Sequence, residues 1–258
     1  MPRNSRHGSN PPIWVSQNFL TSTKTISRLI RMTDICNDDH VIEIGPGKGH
    51  ITKILLKCCK KLTAVELDKA LYDKLQAKFC ESKNLNLHHQ DFMRWALPPQ
   101  GEYKIFANIP FCHTTDILLK LIESKNPPQD AWLIMEKGAA KRFMGIPREN
   151  ARSLTLKPMY NMRIMYHFRR EDFHPMPGVD VVMVHIKKKM QPDIPASQWR
   201  AYQKFIAWGT ANSNSGLLRI FTKRQLSAAC RTAGLSDLVS AEILYIQWLC
   251  LFRCYQKY

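Results

Sequence analysis

The stretch HVIEIGPGKGHIT, residues 40–52, decides the fold of this chain. The apolar run at its start is typical of a buried β-strand, and the apolar spacing that follows it indicates a helix. Three glycines, Gly45, Gly47 and Gly49, join the strand directly to the helix. Because glycine lacks a Cβ, it permits a tight turn and lets a ligand approach the backbone closely. The stretch therefore predicts a strand–turn–helix unit with a binding site at the turn.

The same alternation continues through the first two-thirds of the chain. Four further apolar runs have the character of strands: residues 61–68, 85–91, 102–110 and 130–137. Segments with apolar spacings of three and four separate several of them. This order predicts an α/β fold in which helices cover both faces of a parallel sheet. Two later runs, 162–168 and 179–189, have no long helix between them and predict a hairpin at the edge of the sheet.

The pattern changes after residues 190–197, where only helical segments follow, such as 198–209 and 241–252. A chain of 258 residues can bury one large core and a smaller second one. The sequence predicts two domains: an α/β catalytic domain in residues 1–190 and a small all-helical C-terminal domain in residues 191–258.

The charge of the chain points to a polyanionic partner. The net charge is +17 and the isoelectric point is about 9.7. Residues 139–189 hold the densest excess, with 11 Lys and Arg against 4 Asp and Glu. Nucleic acid is the leading candidate partner, and a solvated basic surface is the alternative.

Several classes of protein receive no support from the sequence. No uninterrupted apolar stretch approaches the roughly 18 residues needed to cross a bilayer, and the N-terminus lacks the apolar core of a signal peptide. We therefore expect a cytoplasmic protein with no membrane partner. The 8 cysteines form no CxxC pair and no zinc-ligand spacing, so we expect no metal.

Ligands of open α/β sheets bind beyond the carboxyl ends of the strands. The second predicted strand ends at Glu66, whose carboxylate can accept hydrogen bonds from ribose hydroxyls, and the third ends at Asp91, which can accept one from an adenine amino group. The glycine turn matches neither a dinucleotide-binding fingerprint nor a P-loop, because Lys48 is followed by Gly49. A nucleoside cofactor without a phosphate cradle fits S-adenosylmethionine best.

The fourth strand ends in NIPF, residues 108–111. Methylating an exocyclic amine requires acceptors for its N–H groups as the nitrogen becomes tetrahedral. The amide oxygen of Asn108 and the carbonyl of Ile109 or Pro110 would supply two acceptors at one place. Phe111 would stack on a base flipped out of its helix.

These motifs together resemble the Erm and KsgA group of rRNA adenine-N6 methyltransferases. The matching segments follow the same order along the chain: SQNFL (16–20), EIGPGKGHIT (43–52), VELD (65–68), QDF (90–92), NIPF (108–111) and FHPMPGVD (173–180). The path from EKGAAKRFMG to FRREDFHPMPGVD is short, which is more similar to the Erm macrolide-resistance enzymes than to KsgA.

The resemblance implies a Rossmann-like, S-adenosylmethionine-dependent methyltransferase sheet with a helical C-terminal domain. Its implied substrate is a single adenine in the peptidyl-transferase region of 23S rRNA, mono- or dimethylated at N6, with resistance to macrolides, lincosamides and streptogramin B. It also implies a monomer that meets its rRNA before or during assembly of the large subunit.

The resemblance further implies roles for individual residues. Asn18 and Leu20 would close over the methionine end of the cofactor, and Asn108 would meet both the methyl donor and the target amine. The other implied cofactor contacts are Gly45, Gly47, Glu66 and Asp91. Phe173 would face Phe111 across the target base, although many relatives have Tyr at the position of Phe111.

The basic segment supplies the predicted RNA contacts, which are Lys141, Arg142, Arg148, Arg152 and Arg163. Three alternatives remain open on the sequence. A KsgA-type enzyme would act on small-subunit rRNA, and a non-catalytic RNA-binding or transcription factor would use the same fold without the chemistry of NIPF. An N6-adenine DNA methyltransferase would more often carry an acidic residue where Asn108 stands.

Overall fold

The computed structural model describes residues 18–211, 216–236 and 242–258. Two residues of the SQNFL motif, Ser16 and Gln17, lie outside the described residues, as does Ala241, the first residue of the predicted helix 241–252.

The described strands are β1 (Phe19–Leu20), β2 (His40–Ile44), β3 (Lys61–Glu66), β4 (Leu85–His89), β5 (Lys104–Asn108), β6 (Asp130–Glu136), β7 (Tyr160–His167), β8 (Phe173–His174) and β9 (Val181–Lys188). The described α-helices are α1 (Thr23–Arg31), α2 (His50–Leu55), α3 (Lys69–Lys78), α4 (Thr114–Ile122), α5 (Lys137–Met144), α6 (Ala151–Leu156), α7 (Trp199–Gly209), α8 (Lys223–Thr232) and α9 (Tyr245–Tyr255).

Seven of these strands form one sheet, in the order β4-β3-β2-β5-β6-β9-β7. The first five in that order are parallel, so their carboxyl ends meet at one edge of the sheet. We call this edge the carboxyl edge. The strands β9 and β7 extend the sheet by antiparallel pairing. The predicted α/β fold and its antiparallel hairpin at the side of the sheet are confirmed.

Both faces of the central strands are buried, and the alternation of side chains along them shows why. In β5, Ile105 and Ala107 join one apolar cluster while Phe106 joins the cluster on the opposite face. In β6, Leu133 likewise lies in the first cluster and Trp132 in the second. Strands buried on both faces read as continuous apolar runs, which is the pattern that marked them in the sequence.

A small two-stranded sheet brings the N-terminal part of the described chain to the carboxyl edge. In it β1 pairs with β8 in antiparallel register, so that Leu20 lies opposite Phe173. Each of the two strands has only two residues, too few for a periodic pattern, so the sequence did not reveal this pairing.

The helices after residue 190 share a third apolar cluster, which includes Tyr202, Phe205, Trp248 and Phe252. The cluster also takes in Leu154 of α6, whose carbonyl accepts a hydrogen bond from the Tyr202 hydroxyl at 3.0 Å. The division into domains at residues 190 and 191 stays a prediction.

The last helix begins later than its apolar pattern suggests. Leu244 has an extended backbone, and its N–H donates to the side chain of Gln247 at 2.9 Å, which caps the helix. Helix α9 therefore starts at Tyr245, and the predicted start at residue 241 is wrong.

Strand β2 carries a buried acid immediately before the glycine turn. Glu43 is 1% exposed, and its carboxyl group accepts a hydrogen bond from the Thr52 hydroxyl of α2 at 2.7 Å. This bond ties the strand to the helix on the other side of the turn. Burial raises the pKa of Glu43 to about 8, and the nearby charge of Glu66 acts in the same direction.

We expect Glu43→Gln to change how stability depends on pH. Between pH 4.5 and about 8, the folded protein retains a proton on Glu43 that the unfolded chain has released. The wild-type protein therefore loses stability as pH rises through this window. The glutamine variant should lose less, which thermal unfolding from pH 5 to pH 8 would show. Exposed Glu102→Gln is the control, and parallel curves for wild type and Glu43→Gln would contradict this account.

Candidate active site

A cavity lies at the carboxyl edge of the sheet, beside the ends of β2, β3 and β5. It has an empty volume of about 430 Å³ and opens to solvent on one side. Its lining combines the predicted glycine turn, the predicted acid and the whole NIPF motif: Asn18, Phe19, Gly45, Gly47, Glu66, Asn108, Ile109, Pro110 and Phe111.

Two positions of the glycine turn, Gly45 and Gly47, require glycine for different physical reasons. Gly45 has a φ of +63°, and a Cβ added there would meet nothing within 4 Å, so the backbone faces open space at the cavity. Gly47 has a φ of +57°, and a Cβ there would lie 2.6 Å from the ring of Phe19. Gly45 thus keeps room for a ligand, whereas Gly47 lets an aromatic ring pack on the turn.

Glu66 holds the turn from the end of β3. One carboxylate oxygen accepts from the N–H of Gly47 at 2.9 Å, and the other accepts from the N–H of Asp68 at 2.9 Å. The residue is 3% exposed. Each carboxylate oxygen can accept more than one hydrogen bond, so the group retains capacity for hydroxyls of a ligand.

Three motifs that are far apart in sequence meet through two hydrogen bonds. The side-chain amide of Asn108 donates to the backbone carbonyl of Asn18 at 2.7 Å. The side-chain amide of Asn18 donates in turn to the carbonyl of Pro175 at 2.7 Å. Because the NH₂ group of Asn108 is engaged in this way, its oxygen is the atom left to accept a hydrogen bond at the cavity.

The rest of NIPF is fixed by the backbone around it. The N–H of Ile109 donates to the carbonyl of Ile134 in the neighbouring strand at 3.2 Å. The Pro110 carbonyl accepts from the N–H of His113 at 3.0 Å, which closes a short 3₁₀ turn ahead of α4. The half-buried ring of Phe111 lines the cavity.

Two predicted site residues lie behind the cavity wall. Leu20 and Phe173 are 3% and 4% exposed and belong to the same apolar cluster. The ring of Phe173 lies 5.1 Å from that of Phe168, centre to centre. The predicted stacking of Phe173 on a target base and the predicted cofactor contact of Leu20 stay predictions.

Asp91 lies just beyond the end of β4, and the cavity lining does not include it. Its carboxylate accepts from the N–H of Met93 at 2.8 Å, and its carbonyl accepts from Arg94 and Trp95. Asp91 therefore organises the tight turn 91–95 at the carboxyl edge, and its contact with an adenine ring stays a prediction.

The predicted RNA contacts are all exposed, but they are spread over the molecule. Lys141 and Arg142 lie on α5, which begins at the carboxyl edge, and Arg148 follows that helix. Arg152 lines a separate groove. Arg163 pairs in register with His185 near the opposite edge of the sheet.

The structure adds residues that the sequence did not single out. Phe19 packs on the glycine turn and lies under the Lys48 ammonium group, which is 4.9 Å from the ring centre. The position of Phe19 inside the SQNFL motif is the feature of the sequence that could have identified it as a site residue. Asp180 forms ion pairs with Lys137 at 3.8 Å and Arg170 at 3.3 Å, which places two cations at the carboxyl edge.

The described ranges contain neither a cluster of metal ligands nor a membrane-spanning helix. No group of three or more His, Cys, Asp or Glu is placed to hold a metal ion among those residues. Within the same ranges, no helix is long and apolar enough to cross a bilayer.

The sequence of this chain is similar to curated proteins over nearly its whole length. It is 33% identical over 247 residues to an rRNA adenine N-6-methyltransferase of Escherichia coli, covering 95% of this chain and 97% of the relative. A protein of the same description from Enterococcus faecalis shows the same identity and coverage.

The fold is similar to solved structures. The 23S rRNA methyltransferase ErmE superposes with a TM-score of 0.83 at 25% identity, covering 93% of this chain and 100% of that one. A dimethyladenosine transferase from Plasmodium falciparum superposes with a TM-score of 0.68 at 19% identity, covering 89% and 86%, and shares the fold. The family model for ribosomal RNA adenine dimethylase matches residues 13–240. The chain belongs to the ribosomal RNA adenine dimethylase family.

Proposed function

We propose that this protein transfers methyl groups from S-adenosylmethionine to N6 of a single adenine in 23S rRNA. Family membership and the relatives described as rRNA adenine N-6-methyltransferases support the reaction and the class of substrate. The likeness to ErmE, which is described as a 23S rRNA methyltransferase, supports the large-subunit rRNA over the small-subunit rRNA.

The orientation of the Asn108 amide carries this proposal. Asn108 lines the cavity and its NH₂ group donates to the Asn18 carbonyl, which leaves the Asn108 oxygen to accept a hydrogen bond from a ligand. An adenine amine placed there would donate one N–H to this oxygen. The Ile109 carbonyl is the better candidate for the second acceptor, because the Pro110 carbonyl already closes the turn with His113.

These two acceptors would make the adenine amine a better nucleophile. The lone pair of an adenine amine is delocalised into the ring, which makes it a poor nucleophile. The adenine amine would donate its two N–H groups to the oxygens of Asn108 and Ile109. These hydrogen bonds would favour tetrahedral geometry at the amine nitrogen and so localise its lone pair. When bound, the cofactor supplies an electrophilic methyl group. Phe111 would hold the base in place by stacking.

The cavity suits the cofactor. Gly45 leaves open space along the backbone, and the buried Glu66 carboxylate stands ready for ribose hydroxyls. Neither feature forms a cradle for phosphates, and S-adenosylmethionine has none. We further propose that Asp91 binds the adenine ring of the cofactor and that Asn18 and Leu20 enclose its methionine end.

Resistance to macrolides, lincosamides and streptogramin B is the proposed biological outcome. Methyl groups on an adenine in the peptidyl-transferase region would occupy space that these drugs use. We also propose that a monomer acts in the cytoplasm on rRNA before or during assembly of the large subunit, where a single adenine is accessible for flipping.

Primer extension on rRNA tests the function and the role of Asn108 together. Cells expressing the wild-type protein should give a stop at one adenine of 23S rRNA, because N6-dimethyladenine blocks base pairing. Asn108→Ala should abolish the stop, since the amine loses its acceptor, whereas Phe111→Tyr should keep it, since the ring still stacks.

Drug susceptibility of the same strains tests the resistance. Calorimetry with S-adenosylhomocysteine would confirm that Asn108→Ala is folded. A stop in 16S rRNA alone would show that the substrate is small-subunit rRNA, as in the KsgA-type alternative. A normal 23S stop with Asn108→Ala would refute the proposed acceptor role.

We expect Glu66→Ala to weaken cofactor binding by about 10- to 150-fold, because a charge-assisted acceptor is worth roughly 1.5–3 kcal/mol. Part of the loss would arise through the turn, since Gly47 loses its partner. Glu66→Gln, which keeps one acceptor oxygen, should lose less. Calorimetry on both folded variants checks this, and unchanged affinity in Glu66→Ala would remove the residue from the site.

We expect the basic segment to set the salt dependence of RNA binding. Arg142→Ala, Arg148→Ala and Arg152→Ala should each make the negative slope of log K against log[salt] shallower by about 1, because binding releases fewer counterions when a phosphate contact is lost. Filter binding with a 23S rRNA fragment measures this. Arg224→Ala on α8 is the control. A slope that changes only with Arg224→Ala would move the RNA contact to the C-terminal helices.

A further inference from the structure

Lys120 of α4 reaches across to the turn 91–95. Its ammonium group donates to the carbonyl of Phe92 and to the carbonyl of Trp95, the latter at 2.6 Å. It also lies 4.8 Å from the centre of the Phe92 ring. One side chain thus makes three contacts with a turn that lies 25 or more residues earlier in the chain.

The turn is built on Asp91. The Asp91 carbonyl accepts from the N–H groups of Arg94 and Trp95, each at 2.9 Å, and one carboxylate oxygen accepts from Met93. Within this turn the carbonyls of Phe92 and Trp95 converge on the Lys120 ammonium group. Buried carbonyls need donors, and here a cation from another element supplies them.

The surroundings of Lys120 agree with a specific role. Phe92 is 6% exposed, so the ring side of the contact is shielded from water. Partial burial lowers the pKa of Lys120, and the charge of Asp91 opposes this shift.

Helix α4 also begins at the acceptor motif. It starts at Thr114, directly after the 3₁₀ turn that begins at Phe111 of NIPF, and the Thr114 hydroxyl donates to the carbonyl of Phe111 at 3.1 Å. Lys120 lies six residues further along, about 9 Å at 1.5 Å per residue. One helix thus contacts the acceptor motif at its start and the Asp91 turn nearly two turns later.

We propose that Lys120 is a positioning residue for the cofactor. It holds the turn 91–95 so that Asp91 presents its second carboxylate oxygen to the adenine ring of S-adenosylmethionine. This inference rests on the proposed function, because Asp91 is assigned to the cofactor there. It predicts that Lys120 affects cofactor binding and leaves RNA binding and the chemical step nearly unchanged.

The test compares Lys120→Met with Lys120→Arg. Methionine keeps the length of the side chain and removes the donors, so KM for S-adenosylmethionine should rise about tenfold while kcat and KM for RNA stay within twofold. Arginine retains donors and should restore KM to within threefold. Lys125→Met, an exposed lysine just beyond α4, is the matched control and should change nothing.

A double-mutant cycle shows whether Lys120 acts through Asp91. Asp91→Asn alone should weaken binding of S-adenosylhomocysteine, and Lys120→Met should add less than twofold in that background. If the two effects are fully additive, or if Lys120→Met lowers kcat and RNA affinity alike, the positioning role is wrong. If Asp91→Asn alone binds normally, the cofactor assignment of Asp91 fails instead, and the two failures are distinguishable.

Unfolding would leave the comparison of Lys120 variants meaningless, so thermal melts accompany every measurement. Lys120→Gln provides a second variant should Lys120→Met unfold, because its amide retains a neutral donor. Its KM for S-adenosylmethionine should fall between those of Lys120→Arg and Lys120→Met. A folded Lys120→Gln variant with wild-type cofactor binding and wild-type stability would overturn the proposal.

Discussion

The site depends on the hydrogen bond from the Asn108 amide to the Asn18 carbonyl, together with the bond from the Asn18 amide to Pro175. An amide side chain is nearly symmetric in shape, so only its partners determine which end faces a ligand. Here the hydrogen bonds from Asn108 to Asn18 and from Asn18 to Pro175 engage the nitrogen of Asn108 within the protein and leave its oxygen as the acceptor. The polarity of the acceptor site is thus set by segments 90 and 157 residues apart.

The glycine turn raises a related electrostatic problem, because two acids lie buried near it. Glu66 accepts hydrogen bonds from two backbone N–H groups at the turn, whereas Glu43 is bonded by Thr52 of α2. Two adjacent buried carboxylates would repel each other, and the raised pKa of Glu43 relieves this by keeping that group protonated near neutral pH. Glu66 therefore lines the cavity, while the protonated Glu43 joins β2 to α2 through Thr52.

The sequence predicted the sheet well, because strands buried on both faces form continuous apolar runs and parallel strands bring their ends to one edge. That rule also predicted that Glu66 and Asn108 lie at the same edge of the sheet. It could not predict the contact of Lys120 with the turn 91–95, since no local pattern marks a side chain that bonds to carbonyls on another element. The burial of Phe173 was equally hidden, because it follows from pairing with β1, a strand of two residues.

The strand order also shows that the most basic segment of the chain does not form one continuous surface. The segment 139–189 leaves the carboxyl edge with α5, enters β7 at the opposite edge, and crosses the sheet again in β9. A strand of seven residues such as β6 is about 20 Å long. Cations of this one segment therefore lie on both sides of the molecule. An RNA with its adenine in the cavity would first meet those at the carboxyl edge, such as Lys137 and Arg170. Arg163 is in register with Trp132, four residues before the end of β6, which is about 13 Å along the strand from that edge.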